Sequence, residues 1–467
     1  MIWPMILAAG TAVAVMLVDL VFPRWYVPFG VALLGSLATA VSPYIVQKGQ
    51  LALLCADPGR CSYVLDDTAR LIAALIAVLT ALALMLYAPG LRAGDAPAGE
   101  VGFLLASAMT GGVVLGGAGD LITLIVALET LTLPLYALVA LHRRRDGAAA
   151  AVTFFTTSIV ATAISLLGAA LLQMSSGFVH LPFTMRHDLP GGQPIAIAGL
   201  ILLLTGFGFK VAAVPLHAWA PTTYDGAPVP VAAYLSTASK LGGVIAILFV
   251  ADEAADTDLR VTAGGTLAVL ATLSLVIGTL VALRQQRTVR LLAWSSVAQA
   301  GFILAPLGGL LVSSSADLFA ASLAYTLFFL ALEFGAFSGV VALRPREDGG
   351  VLEDLRGFGR AAPWRSAMLA FGLIGLAGLP PVLSGLFAKI IVIKALLVVD
   401  SLWLALVVAL ISVVGLALYW RPLAALYRGS VDDRPAISFW PFLPLAAATI
   451  VTVVLSVDPQ LTMSLWQ

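Results

Sequence analysis

The chain has 467 residues, of which 61% are hydrophobic and 11% charged, with 25 basic residues balanced by 25 acidic ones. Ordinary soluble domains carry about 25% charged residues, so a soluble enzyme is excluded, and zero net charge offers nothing to nucleic acid. The apolar runs are long and continuous instead of alternating, which selects a helical polytopic membrane protein over a β-barrel.

The first apolar stretch, 2–22, has no basic segment ahead of it and no convincing cleavage site, so it is read as a span and not as a signal peptide. A span takes about 20 apolar residues. On that criterion roughly 14 follow one another, near 2–22, 28–47, 69–89, 101–117, 120–141, 152–174, 193–217, 230–250, 262–283, 291–312, 318–342, 365–399 as one long broken span, 402–426 and 437–456. The polar stretch 344–365 is the length of one surface loop, which leaves no room for a soluble domain. The expected fold is all-α and membrane-embedded. It divides into N-terminal helices over 1–100, a first half over 101–260, a second half over 261–430 and a C-terminal helix over 431–467.

Orientation follows from arginine placement. With the N-terminus outside, Arg24, Arg92, the cluster at 143–145, Arg284, Arg287, Arg290, Arg344, Arg346, Arg356, Arg360, Arg365, Arg421, Arg428 and Arg434 fall on the cytoplasmic side. The outer side receives Lys48, Arg60, Arg70, Arg186, Arg260 and the acidic stretch 251–258. The bias predicts both termini outside. Cys55 and Cys61 then lie in an outer loop, in an oxidising compartment in bacteria. A small disulfide loop and two free thiols both fit. Their spacing, with no histidine nearby, gives no metal site.

Four of the five lysines, Lys210, Lys240, Lys389 and Lys394, stand inside apolar segments. An ammonium in hydrocarbon is costly, by roughly 2.5 kcal/mol on insertion scales, and such residues mark ion or proton paths. Glu129 is a carboxylate near mid-span that either ionises beside a cation and serves the path or stays neutral, bonded to a Ser or Thr hydroxyl. Lys210 is preceded by Gly206 and Gly208 and followed by Pro215, which predicts a broken span. Lys240 lies ten residues past Pro230, about 15 Å into its helix, with Ser236 on its face at i−4. Lys389 follows Gly378, Pro380 and Pro381, a second break. Interrupted helices in corresponding positions of two halves point to an inverted-repeat transporter with its path near the midplane.

Other residues keep two readings. Lys394 either joins the path or snorkels to the outer surface. Glu333 either pairs with a lysine or stays protonated in mid-span. His217, at the cytoplasmic end of the first broken span, either passes protons or is an interfacial histidine. Asp19, close to a helix end, is read as interfacial.

The stretch FKVAAVPLHAWAPTTYDGAPVPV at 209–231, leading to Ser239 and Lys240, resembles the signature of the antiporter-like subunits of respiratory complex I. The YDGAP loop and the Ala-Ser-Lys ending are most similar to the subunit N type of bacterial NADH-quinone oxidoreductase, the counterpart of mitochondrial ND2. ETLTLPLY at 129–136, RLLAWSSVAQAG at 290–301 and the run from Gly378 to Lys389 resemble the family's fifth, tenth and twelfth spans. The resemblance implies an ion pair between Glu129 and Lys210, a central connecting role for Lys240, and the second broken-helix role for Lys389. It also implies a bacterial inner (cytoplasmic) membrane and other complex I membrane subunits as partners. The chain departs from the family pattern at Gln299, where histidine is frequent, at Ala149 and Thr153, where a glutamate and a lysine are frequent, and at Glu333, where asparagine is usual.

The expected function is proton translocation driven by NADH-to-quinone electron transfer in partner subunits. A neighbouring glutamate and lysine stabilise each other's charge, and separation drives both toward neutrality, so the pair can load and release a proton. The chain has no dinucleotide fingerprint in a βαβ context and no cysteine set for an iron–sulfur cluster. NADH, FMN, the clusters and quinone are therefore expected in partners, with no cofactor or metal in this chain. The alternatives are a subunit of a multi-subunit cation/proton antiporter, a membrane-bound hydrogenase subunit, and a structural spacer.

Overall fold

A computed structural model of the chain describes residues 2–45, 51–57, 60–141, 145–185, 191–344, 349–429 and 439–463. Of the charges used for orientation, Lys48, Arg143, Arg144, Arg186, Arg346 and Arg434 lie outside the described residues.

Twelve of the described helices are long and apolar enough to cross a membrane. The other expected spans are shorter. The stretch 365–399 is two helices, Pro363–Ala377 and Leu383–Val398, and the last expected span is the helix Phe442–Val457. The break between the first two has a local cause. Gly378 takes φ +80°, which a Cβ disfavours, and Pro380 and Pro381 supply no N–H to continue a helix.

The chain packs as two compact units, Met1–Lys210 with Ala238–Leu259, and Val211–Thr237 with Arg260–Gln467. In the first unit, Asp120 caps the helix Leu121–Ala140 by accepting the Thr123 N–H at 2.6 Å, which satisfies a donor that the helix leaves open. The helices Arg145–Ser176 and Gly192–Lys210 approach closely through small residues. A Cβ on Gly206 would come within 2.1 Å of Ser165 Oγ and 3.0 Å of the Ala161 carbonyl. Close approach through small residues is how membrane helices associate when lipid supplies no hydrophobic drive.

The outer loop expected around the cysteines is a β-hairpin. Strand Leu51–Asp57 pairs antiparallel with Arg60–Leu65, Cys55 faces Cys61, and their sulfurs are bonded. The sequence carries the turn signal Pro58-Gly59 between β-favouring residues such as Tyr63 and Val64, and the dominant apolar runs obscure it.

In the second unit the helices Thr288–Gly308 and Ala316–Leu343 form the interior. About nine-tenths of each is buried, against one-third of Leu402–Tyr427 (94% and 33%). The last helix therefore turns an apolar face outward, with Leu410 66% and Val413 67% exposed.

Candidate functional site

The helix Leu121–Ala140 carries Glu129, Thr132 and Tyr136 at i, i+3 and i+7, a spacing that puts them on one face. The helix Arg145–Ser176 brings Ser158 and Thr162, one turn apart. Lys210 is the last residue of Gly192–Lys210. After it the backbone leaves the helix. Ala212 sits at φ +60°, the Val214–Pro215 bond is cis, and helix resumes at Trp219. The expected span to 217 thus stops at Lys210, because Pro215 cannot donate and crowds the carbonyl four residues back. The last turn of a helix exposes unpaired carbonyls and the negative end of its dipole, which favour an ammonium.

These elements converge on Lys210. Its Nζ lies 2.7 Å from Glu129 Oε1, 3.2 Å from Thr132 Oγ1 and 3.3 Å from Ser158 Oγ. The same Glu129 oxygen accepts from Thr162 Oγ1 at 2.7 Å, and Tyr136 donates to Ser158. Lys210 is 5% exposed and Glu129 21%. The buried ammonium is therefore both paired and hydrogen-bonded, which is what a charge needs in a low-dielectric setting. The sequence assigned no individual role to Thr132, Tyr136, Ser158 or Thr162. Their signal was present as polar residues at helical spacing facing Glu129.

Lys240 is 1% exposed and begins the helix Lys240–Ala255. The residues before it, Leu235–Ser239, form a π-helical turn. A π-turn adds one residue to the turn. Ser236 Oγ donates to the Ala233 carbonyl at 3.0 Å.

In the second unit Lys389 is 6% exposed, and its Nζ donates to the Ala377 carbonyl at 2.6 Å. Ala377 is the last residue of Pro363–Ala377, so this ammonium also sits at the C-terminal end of an interrupted helix. It lies 5.3 Å from the Phe302 ring centre, within cation–π range.

Gln299 is the centre of a neutral hydrogen-bonded chain in the same unit. Tyr325 donates to its Oε1 at 2.5 Å, its Nε2 donates to Tyr419 Oη at 2.8 Å, and Tyr419 shares a bond with Ser295. Glu333 is fully buried within electrostatic range of Tyr224, Tyr325 and Tyr419. Gln299, Tyr325 and Ala388 border a cavity of about 10 Å³, which is at the lower limit for one water.

The remaining sequence candidates lie elsewhere. His217 is half-buried in the loop after Lys210. Its Nδ1 donates to the Pro215 carbonyl at 3.2 Å, and its ring packs 5.2 Å from Trp294. Lys394 is exposed and lines a cavity of about 230 Å³ with Asp317 and Gln460, a placement that suits the snorkelling reading. Among the described residues no group of three His, Cys, Asp or Glu could hold a metal.

Apolar spans, two interrupted helices and a buried ammonium at the C-terminal end of a half-helix in each unit define a multi-pass membrane protein of the antiporter-like class. Residues 118–415 match the family described as NADH:quinone oxidoreductase/Mrp antiporter, TM. The chain belongs to that family. It is 54% identical over 447 residues to NADH-quinone oxidoreductase subunit N of Salinispora tropica, covering 93% of this chain and 85% of the relative. Its structure is similar to a chain of respiratory complex I from Thermus thermophilus, with TM-score 0.82, 28% identity and 98% of both chains covered. A chain of the Mrp complex from Dietzia sp. shares the fold at TM-score 0.83 and 21% identity, covering 100% of this chain and 96% of that one.

Proposed function

We propose that this chain is the proton-translocating subunit N of a bacterial NADH-quinone oxidoreductase, in the cytoplasmic membrane with both termini outside. The observation that carries the reading is the 2.7 Å contact between Lys210 and Glu129 inside apolar helices, where the helix breaks. At an effective dielectric near 20, unit charges about 4 Å apart interact by about 4 kcal/mol. Opening and closing such a contact changes the proton affinity of both partners enough to load or release a proton.

Lys240 and Lys389 carry later protonation steps of the same cycle. In the second unit Gln299 holds the Tyr325 and Tyr419 hydroxyls in one hydrogen-bonded chain with Ser295, positioning them for the cycle, with Glu333 as the buried carboxylate of that region. His217 is assigned to the cytoplasmic approach, and Lys394 snorkels to the outer surface. Electron transfer from NADH through FMN and iron–sulfur clusters to quinone is assigned to partner subunits.

Mild solubilisation and identification of the co-purifying subunits tests the assignment. Flavin- and cluster-bearing subunits with NADH:quinone activity are expected. Co-purification with only membrane antiporter subunits would move the chain to the cation/proton antiporter reading.

A further inference from the structure

The helix Leu402–Tyr427 ends at a basic pocket that no step of proton transfer uses. The pocket encloses about 280 Å³ and is lined in part by Gln286, Glu353, Arg356, Trp420, Arg421 and Arg428. Arg421 lies near the end of the helix and Arg428 is the residue that follows it, and both line the pocket. Arg421 is held in place by donation to the Leu283 carbonyl and to Gln286 Oε1. These bonds engage two of its five N–H groups. Arg356 pairs with Glu353 at 2.9 Å, but the two side chains are 55% and 72% exposed, so water and salt screen that pair. Among the described residues lining the pocket, three guanidinium groups thus face one solvent-exposed carboxylate.

The pocket continues an apolar stripe. Leu406, Leu410, Val413, Ala417 and Trp420 are exposed at alternating four- and three-residue spacing on the same helix. The stripe runs about 21 Å along the axis, longer than one leaflet's roughly 15 Å of hydrocarbon. Trp420, 66% exposed, stands where stripe and basic pocket meet, the level at which tryptophans sit in a bilayer interface.

We propose that this pocket is a binding site for an anionic phospholipid, with the phosphate headgroup among Arg356, Arg421 and Arg428 and an acyl chain along the stripe ending at Trp420. Guanidinium groups bind phosphate oxygens through paired N–H donors. Basic pockets between membrane helices on the arginine-rich side select anionic headgroups. A zwitterionic lipid would use the stripe without gaining from the pocket.

The test uses the intact complex in phosphatidylcholine nanodiscs doped with a photoactivatable phosphatidylglycerol or, in parallel, a photoactivatable phosphatidylcholine. Labelled peptides covering residues 402–428 are quantified by mass spectrometry. The wild-type complex is expected to label more strongly with the glycerol headgroup by about fivefold or more, and the Arg356→Gln/Arg421→Gln/Arg428→Gln triple variant to lose that preference. The Trp420→Ala variant keeps the headgroup preference with less total label. Equal labelling by the two lipids in the wild type, or a preference that survives the triple variant, overturns the proposal. Absence of label from either lipid means that a partner subunit covers the helix, and overturns it as well.

Discussion

Lys389 places its ammonium 2.6 Å from the carbonyl oxygen of Ala377, the last residue of the half-helix ahead of it in the chain. Among the described residues no carboxylate forms an ion pair with Lys389. Lys210, the last residue of its own half-helix, has Glu129. The two lysines therefore hold their protons against different partners.

Gly378 makes the Lys389 arrangement sensitive to a single methyl group. Its φ is +80°, and an added Cβ would lie 3.0 Å from Lys389 Cδ and 3.1 Å from Nζ. Gly378→Ala should cost about 1–2 kcal/mol in backbone strain and push the ammonium off the Ala377 carbonyl. The expected outcome is a complex that assembles but pumps markedly less than wild type. Gly415→Ala, where an added Cβ meets nothing within 4 Å, is the control and should pump normally. Pumping by Gly378→Ala at the control's rate would remove the Ala377 contact from the cycle.

Thr162 donates to the same Glu129 oxygen that faces Lys210. A hydrogen bond to a charged group is worth about 1.5–3 kcal/mol. Thr162→Val should therefore slow proton pumping by roughly tenfold, while Thr162→Ser, which keeps the hydroxyl, should stay near wild type. Equal rates for the two variants would assign Thr162 to packing alone.

Breaking one side of the buried pair should also show in stability. Lys210→Met leaves a carboxylate in an apolar site, and losing one partner of such a pair costs about 3–5 kcal/mol. Thermal denaturation of the purified complex should detect the loss. The double variant Lys210→Met/Glu129→Gln should recover much of the stability without recovering pumping. No recovery of stability in the double variant would mean that Lys210 acts in packing and not through its charge.

The Tyr325–Gln299–Tyr419 chain predicts that a non-titrating side chain suffices at 299. Gln299→Leu removes both the acceptor for Tyr325 and the donor to Tyr419, and should lower pumping severalfold. Tyr419→Phe should do the same by removing one hydroxyl. Normal pumping in both would exclude the hydrogen-bonded chain from the cycle.

The buried lysines and Glu129 were legible in the sequence because a charge inside a long apolar run is anomalous, and the helix breaks because Gly and Pro announce them. The partners were not. Ser158 and Thr162 look like any Ser or Thr in a membrane helix, most of which bond their own backbone, as Thr153 does to the Ala149 carbonyl. Ala377 serves through a carbonyl that every residue possesses. Gln299 meets Tyr419 across 120 positions of sequence, and no local pattern encodes that pairing. The π-turn before Lys240 and the hairpin at 51–65 were also hidden, the first because Leu235–Ser239 reads as ordinary helix, the second because a short hairpin is faint beside spans of about 20 residues.

The central claim is that the contact between Glu129 and Lys210 moves protons. The direct measurement is NADH-driven proton uptake into inverted membrane vesicles carrying Glu129→Gln or Lys210→Ala, normalised to the amount of assembled complex. A fall of about tenfold or more in pumping is predicted for each variant. Wild-type pumping by either correctly assembled variant would contradict the claim.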